Sequence, residues 1–215
     1  DRKYVVPSAP GKRFPEDTKV TDMLYKCYAE AEAGKNIEKS LKAIEERYNE
    51  IIKGLGLKLS LKEQFETIKK NFEALAGKDY AASRGEYLNG IIMANYLGYE
   101  FIDAATVICF DKDGEFDSEK TNEVCEAKFA NIERAVVPGF YGAMPNGKVK
   151  TFSRGGSDVT GSIVARALKA DMYENWTDVS GFLAADPRIV NNAKPINVIT
   201  YKELRELSYM GASVL

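Results

Sequence analysis

The 215-residue sequence contains no histidine. That absence removes every mechanism built on an imidazole base, Ser-His-Asp and Cys-His arrangements included, and every histidine-ligated metal site. Cysteine is nearly absent. Cys27, Cys109 and Cys125 are odd in number, and their spacings fit neither a disulfide framework nor a zinc site. A reducing, cytoplasmic setting is the expectation. No apolar run approaches the ~20 residues of a membrane-spanning helix, and no signal peptide is visible. Neither sign of charge dominates. With 30 basic and 32 acidic residues the formal net charge is -2, which gives no reason to expect nucleic acid or an anionic membrane as a partner. Chemistry must then run on Asp, Glu, Lys, Arg and backbone dipoles. Phosphoryl transfer fits that inventory best, because it depends mostly on positioning and charge neutralisation.

What is present reads as a globular chain, 45% hydrophobic and 29% charged, forming one large domain or two small ones. The stretch that organises it is Thr151 to Asp158, TFSRGGSD. Before it, residues 148–152 alternate polar and apolar as a strand does. After it, residues 158–170 carry Val159, Ile163, Val164, Ala167 and Leu168 at helical spacing, a predicted buried stripe. A strand, a glycine turn and a helix start together form a common anion cradle. Gly155 and Gly156 let the backbone approach a ligand, the first N–H groups are free, and Arg154 adds a planar fork of donors. The same letters also describe an ordinary tight turn with a helix cap.

Along the rest of the chain, residues 3–6 read as the end of a buried strand, followed by the turn PSAPG. Such a start suggests that earlier residues are missing. Thr21 precedes a helix over about 22–33 as its expected cap. Residues 37–53 and 61–76 read as two further helices with solvated charges between their apolar positions and a capping box at Ser60 and Glu63, an appendage or lid. The SRGE run at 83–86 opens a fourth helical region. Gly85 marks either the helix start or a close approach to its backbone, and Glu86 then falls in the first turn. Short strands are expected near 100–102, 106–110 and 135–137, with a solvent loop at 111–117 and a helix from Ser118 or Thr121 to Ile132. Pro145, Asn146 and Gly147 form a hairpin turn into the strand at 148–152. Residues 171–176 read as the next strand, completing a parallel βαβ unit with the central helix. The polar loop 177–188 then leaves on the same sheet edge, where ligands collect in such folds. Thr200 and Glu203 form a second capping box for a helix over 201–210.

Four runs in order, SRGGSD, WTDVSG, AADPRIV and LRELSYMGASVL, resemble aspartokinases of the amino-acid-kinase superfamily, and VVPSAPGKRFPEDTKVTDML and SRGEYLNG fit earlier family segments. The resemblance implies a three-layer α/β/α sandwich on a mostly parallel sheet, spanning 1–215 with the helical appendage around 37–76. It implies transfer of the ATP γ-phosphoryl group to L-aspartate, with magnesium, at the entry to lysine, threonine and methionine synthesis. Residue by residue, it assigns Thr21, Glu86, Arg154, Gly155, Gly156 and Ser157 to aspartate. Arg154 takes the α-carboxylate and Glu86 the α-ammonium side. It assigns Asp158 as the organising catalytic carboxylate, and Thr177, Asp178, Leu183, Arg188 and Ser213 to the nucleotide, with Asp186 a lesser candidate on that loop. No metal-ligating residue is assigned. A homo-oligomer is expected for the full-length protein.

The sequence departs from the family pattern in three ways. The family's opening strand, with its lysine-phenylalanine-glycine-glycine motif, does not occur, so the chain as given is expected to be inactive alone. Leu183 stands where the family usually has tyrosine, and Ser213 where it often has lysine. The C-terminal regulatory ACT domains also do not occur. Two other readings stay open: a kinase for another acyl acceptor such as glutamate or acetylglutamate, and a non-catalytic nucleotide- or amino-acid-binding module of the same fold.

Overall fold

The computed structural model describes residues 2–153, 155–177, 181–186 and 189–209. The chain divides into two compact units, Asp1–Tyr173 and Glu174–Leu215.

In the first unit, β1 (Tyr4–Val5), β2 (Glu100–Phe101) and β3 (Ala135–Val136) form a parallel sheet in the order β1-β3-β2. The register pairs Tyr4 and Glu100 with Ala135, and Val5 and Phe101 with Val136. The strands are short, but backbone bonds extend the ladder beyond them. Ala135 N–H donates to the Lys3 carbonyl, Val137 N–H to Val5, and Ile102 N–H to Val136. Ala135, Val136 and Val137 are all buried, as a central parallel strand covered on both faces requires. A second, antiparallel pair, β4 (Tyr141–Ala143) and β5 (Val149–Thr151), is joined by the expected turn, with Met144 N–H donating to the Lys148 carbonyl.

The helices are α1 (Val20–Glu32), α2 (Glu38–Gly54), α3 (Lys62–Glu73), α4 (Lys78–Leu97), α5 (Ser118–Phe129) and α6 (Gly156–Ala167). The first four share one apolar core that includes Leu24, Ile44, Tyr48, Ile68, Phe72 and Leu88. Each such side chain taken from water contributes about 1.5–3 kcal/mol. The predicted pair at 37–76 is thus built into a four-helix core with α1 and α4. A second core, with Ile108, Cys125, Val137, Tyr141, Ile163 and Val164, joins the sheet, the hairpin, α5 and α6. Tyr87 of α4 packs against both.

That double burial explains the glycines of α4. A Cβ on Gly85 would sit 2.8 Å from Ala9 Cβ, and one on Gly90 would sit 2.7 Å from Pro138 Cγ. The helix starts seven residues before Gly85, so close packing, not a helix start, accounts for that glycine. The loops leaving β1 and β3 lie directly on α4.

Several local expectations need correction. Thr21 is the second residue of α1, not its cap; Lys19 occupies the cap position without a side-chain bond. Leu61, not Ser60, precedes α3, and Ser60 Oγ accepts only a long 3.4 Å bond from Lys62 N–H. The strand expected at 106–110 is reduced to single bridges at Cys109 and Phe110, after a 3₁₀ turn at Ala104–Thr106. Arg47 is not solvated. It is buried, donates to the Gly11 carbonyl at 2.8 Å and faces Asp17 at 3.4 Å. Val159 is exposed, while Ile163 and Val164 face the core. Residues 171–176 form no strand, and the βαβ unit with α6 does not form among the described residues. A strand needs a partner backbone; no strand pairing among the described residues includes 171–176, and Met172 and Trp176 are exposed.

In the second unit, α7 (Tyr201–Tyr209) opens with the predicted capping box. Thr200 N–H donates to Glu203 Oε2 at 2.9 Å, and Glu203 N–H returns a bond to Thr200 Oγ1. Among the described residues no helix is long and apolar enough to cross a membrane.

Candidate active site

Parallel strands end together, and the loops they release converge. Pro7 to Pro10 leave β1, and Pro138 to Phe140 leave β3. Gly139 N–H donates to the Pro7 carbonyl at 3.1 Å, tying the loops together. The start of α6 closes on this pair. A Cβ at Gly139 would lie 2.6 Å from Ser157 Oγ and 2.7 Å from Ser157 Cα, so only glycine admits the helix start this close. A Cβ at Gly156 would collide with the Phe140 ring.

Phe140 has φ 81°, a left-handed conformation that a bulky residue adopts only under constraint. Thr160 supplies the constraint. Its Oγ1 accepts from Phe140 N–H at 2.9 Å and donates to the Gly156 carbonyl at 2.7 Å. The Phe140 carbonyl accepts from Phe152 N–H. One threonine hydroxyl therefore fixes the β3 loop and the first turn of α6 together.

Gly155, with φ 57°, is the cap of α6. A glycine has no side chain with which to satisfy the first-turn N–H groups, and among the described residues no side chain caps them, an arrangement that suits an anion. Asp158 is half-buried in that turn, its Oδ2 3.8 Å from where a Gly155 Cβ would be. Tyr173 O–H donates to the Asp158 carbonyl at 3.4 Å.

On the α4 side, Glu86 is only 7% exposed. It lies inside the helix, not in its first turn, where the sequence placed it. Burial disfavours its charge and pushes its pKa up to about 7; bonds from the backbone N–H groups of Glu86 and Ala9 and the charge of Arg84 oppose that rise. Its Oε2 is buried and has no hydrogen-bond partner among the described residues. Tyr48 O–H donates to the Gly85 carbonyl at 2.7 Å and so pins the helix beside it. Tyr25, on α1 one turn after half-buried Thr21, has its pKa raised by burial and then by the charges of Asp79, Glu86 and Asp22. The α1–α4 side is therefore electronegative and suits a cation. The α6 side suits an anion.

Thr21, Glu86, Gly155, Gly156, Ser157 and Asp158 thus belong to elements gathered around the β1 and β3 loops. Arg154, Asp178, Arg188 and Ser213 lie outside the described residues. Thr177 and Leu183 belong to the second unit, where Thr177 is exposed and Leu183 bridges to Pro195. Sequence reasoning missed Gly139, Phe140, Thr160 and Tyr48. The PGFYG run was a visible break, but nothing in it announced its contact with Ser157.

Among known proteins, the chain is 38% identical to aspartokinase 3 of Bacillus subtilis over 99% of its own length and 50% of that protein's. It superposes on the crystal structure of Clostridium acetobutylicum aspartate kinase with a TM-score of 0.93 and 57% identity, covering 100% of this chain and 48% of that one. Against E. coli aspartokinase III in complex with aspartate and ADP the TM-score is 0.71 and the identity 27%, over 99% of this chain and 51% of that one. The chain spans about half the length of these relatives. The amino acid kinase family pattern matches residues 4–215, and its helices with a mostly parallel sheet agree with the aspartate kinase structures, so the chain belongs to the amino acid kinase family.

Proposed function

We propose that this chain is the catalytic portion of an aspartate kinase, which moves the γ-phosphoryl group of ATP to the side-chain carboxylate of L-aspartate and yields 4-phospho-L-aspartate and ADP. The observation that carries this reading is the polarity of the site. A buried glutamate oxygen with no donor among the described residues stands on one side, and a helix start without a side-chain cap among the described residues stands on the other. An α-amino acid acceptor supplies the missing donor to Glu86 through its ammonium group. Thr21, Ser157 and the glycine turn hold the rest of aspartate, with Arg154 on the α-carboxylate. The acceptor carboxylate is ionised at neutral pH, so it attacks phosphorus without a general base, which suits a chain without histidine. One P–O bond forms to aspartate as the bond to the leaving ADP breaks. The α6 N-terminus neutralises phosphoryl charge, and Asp158 orients the cationic groups around it. Thr177, Asp178, Leu183, Arg188 and Ser213 serve the nucleotide.

Among the described residues no group of three or more acidic or cysteine side chains could hold a metal ion. In this proposal magnesium is carried mainly by triphosphate oxygens and water. Bound there, it would neutralise phosphate charge. Entry into lysine, threonine and methionine synthesis and homo-oligomeric assembly in a reducing cytoplasm complete the proposal.

The test is hydroxylamine trapping of acyl phosphate by the intact natural protein with ATP and magnesium. Hydroxamate is expected with L-aspartate and not with L-glutamate or N-acetylglutamate, the latter having no ammonium for Glu86. Product with another acid would move the substrate. No product with any acid from folded protein would favour the non-catalytic binding module.

Glu86 also predicts a pH signature. Its folded pKa is raised, so the folded state keeps a proton that the unfolded state has already released. Stability is therefore lost as pH rises from the ordinary carboxylate range through about 7. Glu86→Gln removes that loss. Its Tm relative to the parent should climb across this window and level off above it. Pairing with an ammonium favours the charged carboxylate, so the KM for aspartate should fall as pH rises through about 7 in the parent and stay flat in Glu86→Gln. A parallel pair of Tm profiles would refute the assignment.

A further inference from the structure

Two residues before Glu86, and so on the opposite face of α4, Arg84 is buried with 6% exposure. Its guanidinium lies 4.5 Å from the ring centroid of Tyr80, 4.4 Å from that of Tyr87 and 5.3 Å from that of Tyr141. Its hydrogen bonds go to the Ser83 hydroxyl, at 2.9 and 3.1 Å. No carboxylate among the described residues lies within ion-pair distance of it. Asp103 is the nearby acid, and Tyr141 O–H engages its Oδ1 at 2.7 Å. A buried cation without a counter-ion is costly, and ring faces offset only part of that cost. Beside it is a cavity of about 160 Å³, walled by Arg84, Tyr80 and Tyr87 of α4 and by Gln64, Thr67 and Ile68 of α3, with Glu63 also on its lining. Gln64 is on its lining, and the Gln64 Oε1 is buried without a hydrogen-bond partner among the described residues.

We infer that this cavity between α3 and α4 is a second binding site, for a small carboxylate that also carries a hydroxyl or amino group. The carboxylate answers Arg84, whose planar fork accepts it in two-point fashion. The ligand's donor answers Gln64 Oε1, with Glu63 beside it favouring an amine or hydroxyl over a second anion. The size agrees with a small molecule, since a cavity near 150 Å³ admits one of about the volume of benzene. The tyrosine faces bracket the planar groups. The site shares no residue with the aspartate set and does not depend on turnover, so it stands or falls separately from the kinase assignment.

The test is a ¹⁹F NMR titration of the intact protein with 3,3,3-trifluorolactate and, separately, with 3,3,3-trifluoropropionate, which lacks the hydroxyl. Saturable binding of trifluorolactate is expected, with trifluoropropionate about tenfold weaker. Arg84→Met should weaken trifluorolactate at least tenfold, and Gln64→Leu should erase the preference for the hydroxyl while leaving carboxylate binding. Gln64 is on the outer helix α3, so this variant carries the test if Arg84→Met fails to fold. The inference is overturned by no saturation up to about 10 mM, a Kd that corresponds to only about 2.7 kcal/mol of binding. It is equally overturned by binding that both variants leave unchanged, which would place the probe elsewhere on the protein.

Discussion

Asp158→Ala is expected to lower kcat of the intact enzyme at least a hundredfold, about 2.7 kcal/mol of barrier. The helix itself should survive. The Asp158 side chain makes no packing contribution to either apolar core, and losing one acidic residue from a first turn costs about 0.3–1 kcal/mol. The bond from Tyr173 goes to the Asp158 main-chain oxygen and is kept. What is lost is a carboxylate beside the glycine turn, its Oδ2 3.8 Å from the Gly155 Cβ position, where the proposed function puts the phosphoryl group. Phosphoryl transfer depends on placement of charge around the migrating group, and a group that acts only in the transition state lowers kcat and kcat/KM together. Steady-state kinetics with aspartate and ATP varied independently, beside a melting curve, measure this. A fall in kcat under about tenfold, or a loss confined to KM, would remove Asp158 from the catalytic role.

The placement of Asp158 in the first turn of a helix was legible because strand, glycine turn and helix is a local pattern. The hairpin at 145–147 and the Thr200–Glu203 box were legible for the same reason: each is settled within a few residues by turn and cap chemistry. The misreadings share a different cause. Residues 171–176 have strand-like composition, but pairing is decided by what backbone lies alongside, and β5 already has β4 as its neighbour. Arg47 sits among charges at helical spacing and looks solvated. Whether a helix face meets water or another helix is a tertiary fact, and α4 is covered on most sides. Gly85 offered two readings, and only the position of Ala9, 76 residues earlier in the chain, decides between them. The site follows the same division. Its glycine turn at 155–156 can be read from sequence, whereas the packing of Gly139 and the Thr160 hydroxyl that fixes the Phe140 backbone cannot, because neither a strand break nor a mid-helix threonine gives a hint of its partner.

The residue least visible in the sequence predicts the largest structural effect. Gly139→Ala should destabilise the protein by about 2–3 kcal/mol and reduce kcat/KM more than its Tm loss alone explains. The added methyl would meet Ser157 at Oγ, Cα and Cβ within 2.7 Å. The Ser157 side chain could rotate away, but its Cα cannot, so relief requires α6 to move off the β3 loop. That movement pulls on the Thr160 bonds to Phe140 and Gly156 and on the Gly139–Pro7 bond. The helix start, Ser157 and Asp158 are then displaced from the β1 loop that contacts Glu86. For a protein of this size about 1 kcal/mol lowers Tm by roughly 2–4 °C, so a drop of roughly 5–10 °C is expected. Gly54→Ala is the control. Gly54 ends α2, has no positive φ and has nothing within 4 Å of its added Cβ. Alanine there should leave activity intact and Tm unchanged or raised. If Gly139→Ala melts and turns over like Gly54→Ala, the close seating of α6 on the β3 loop is not what holds the site together.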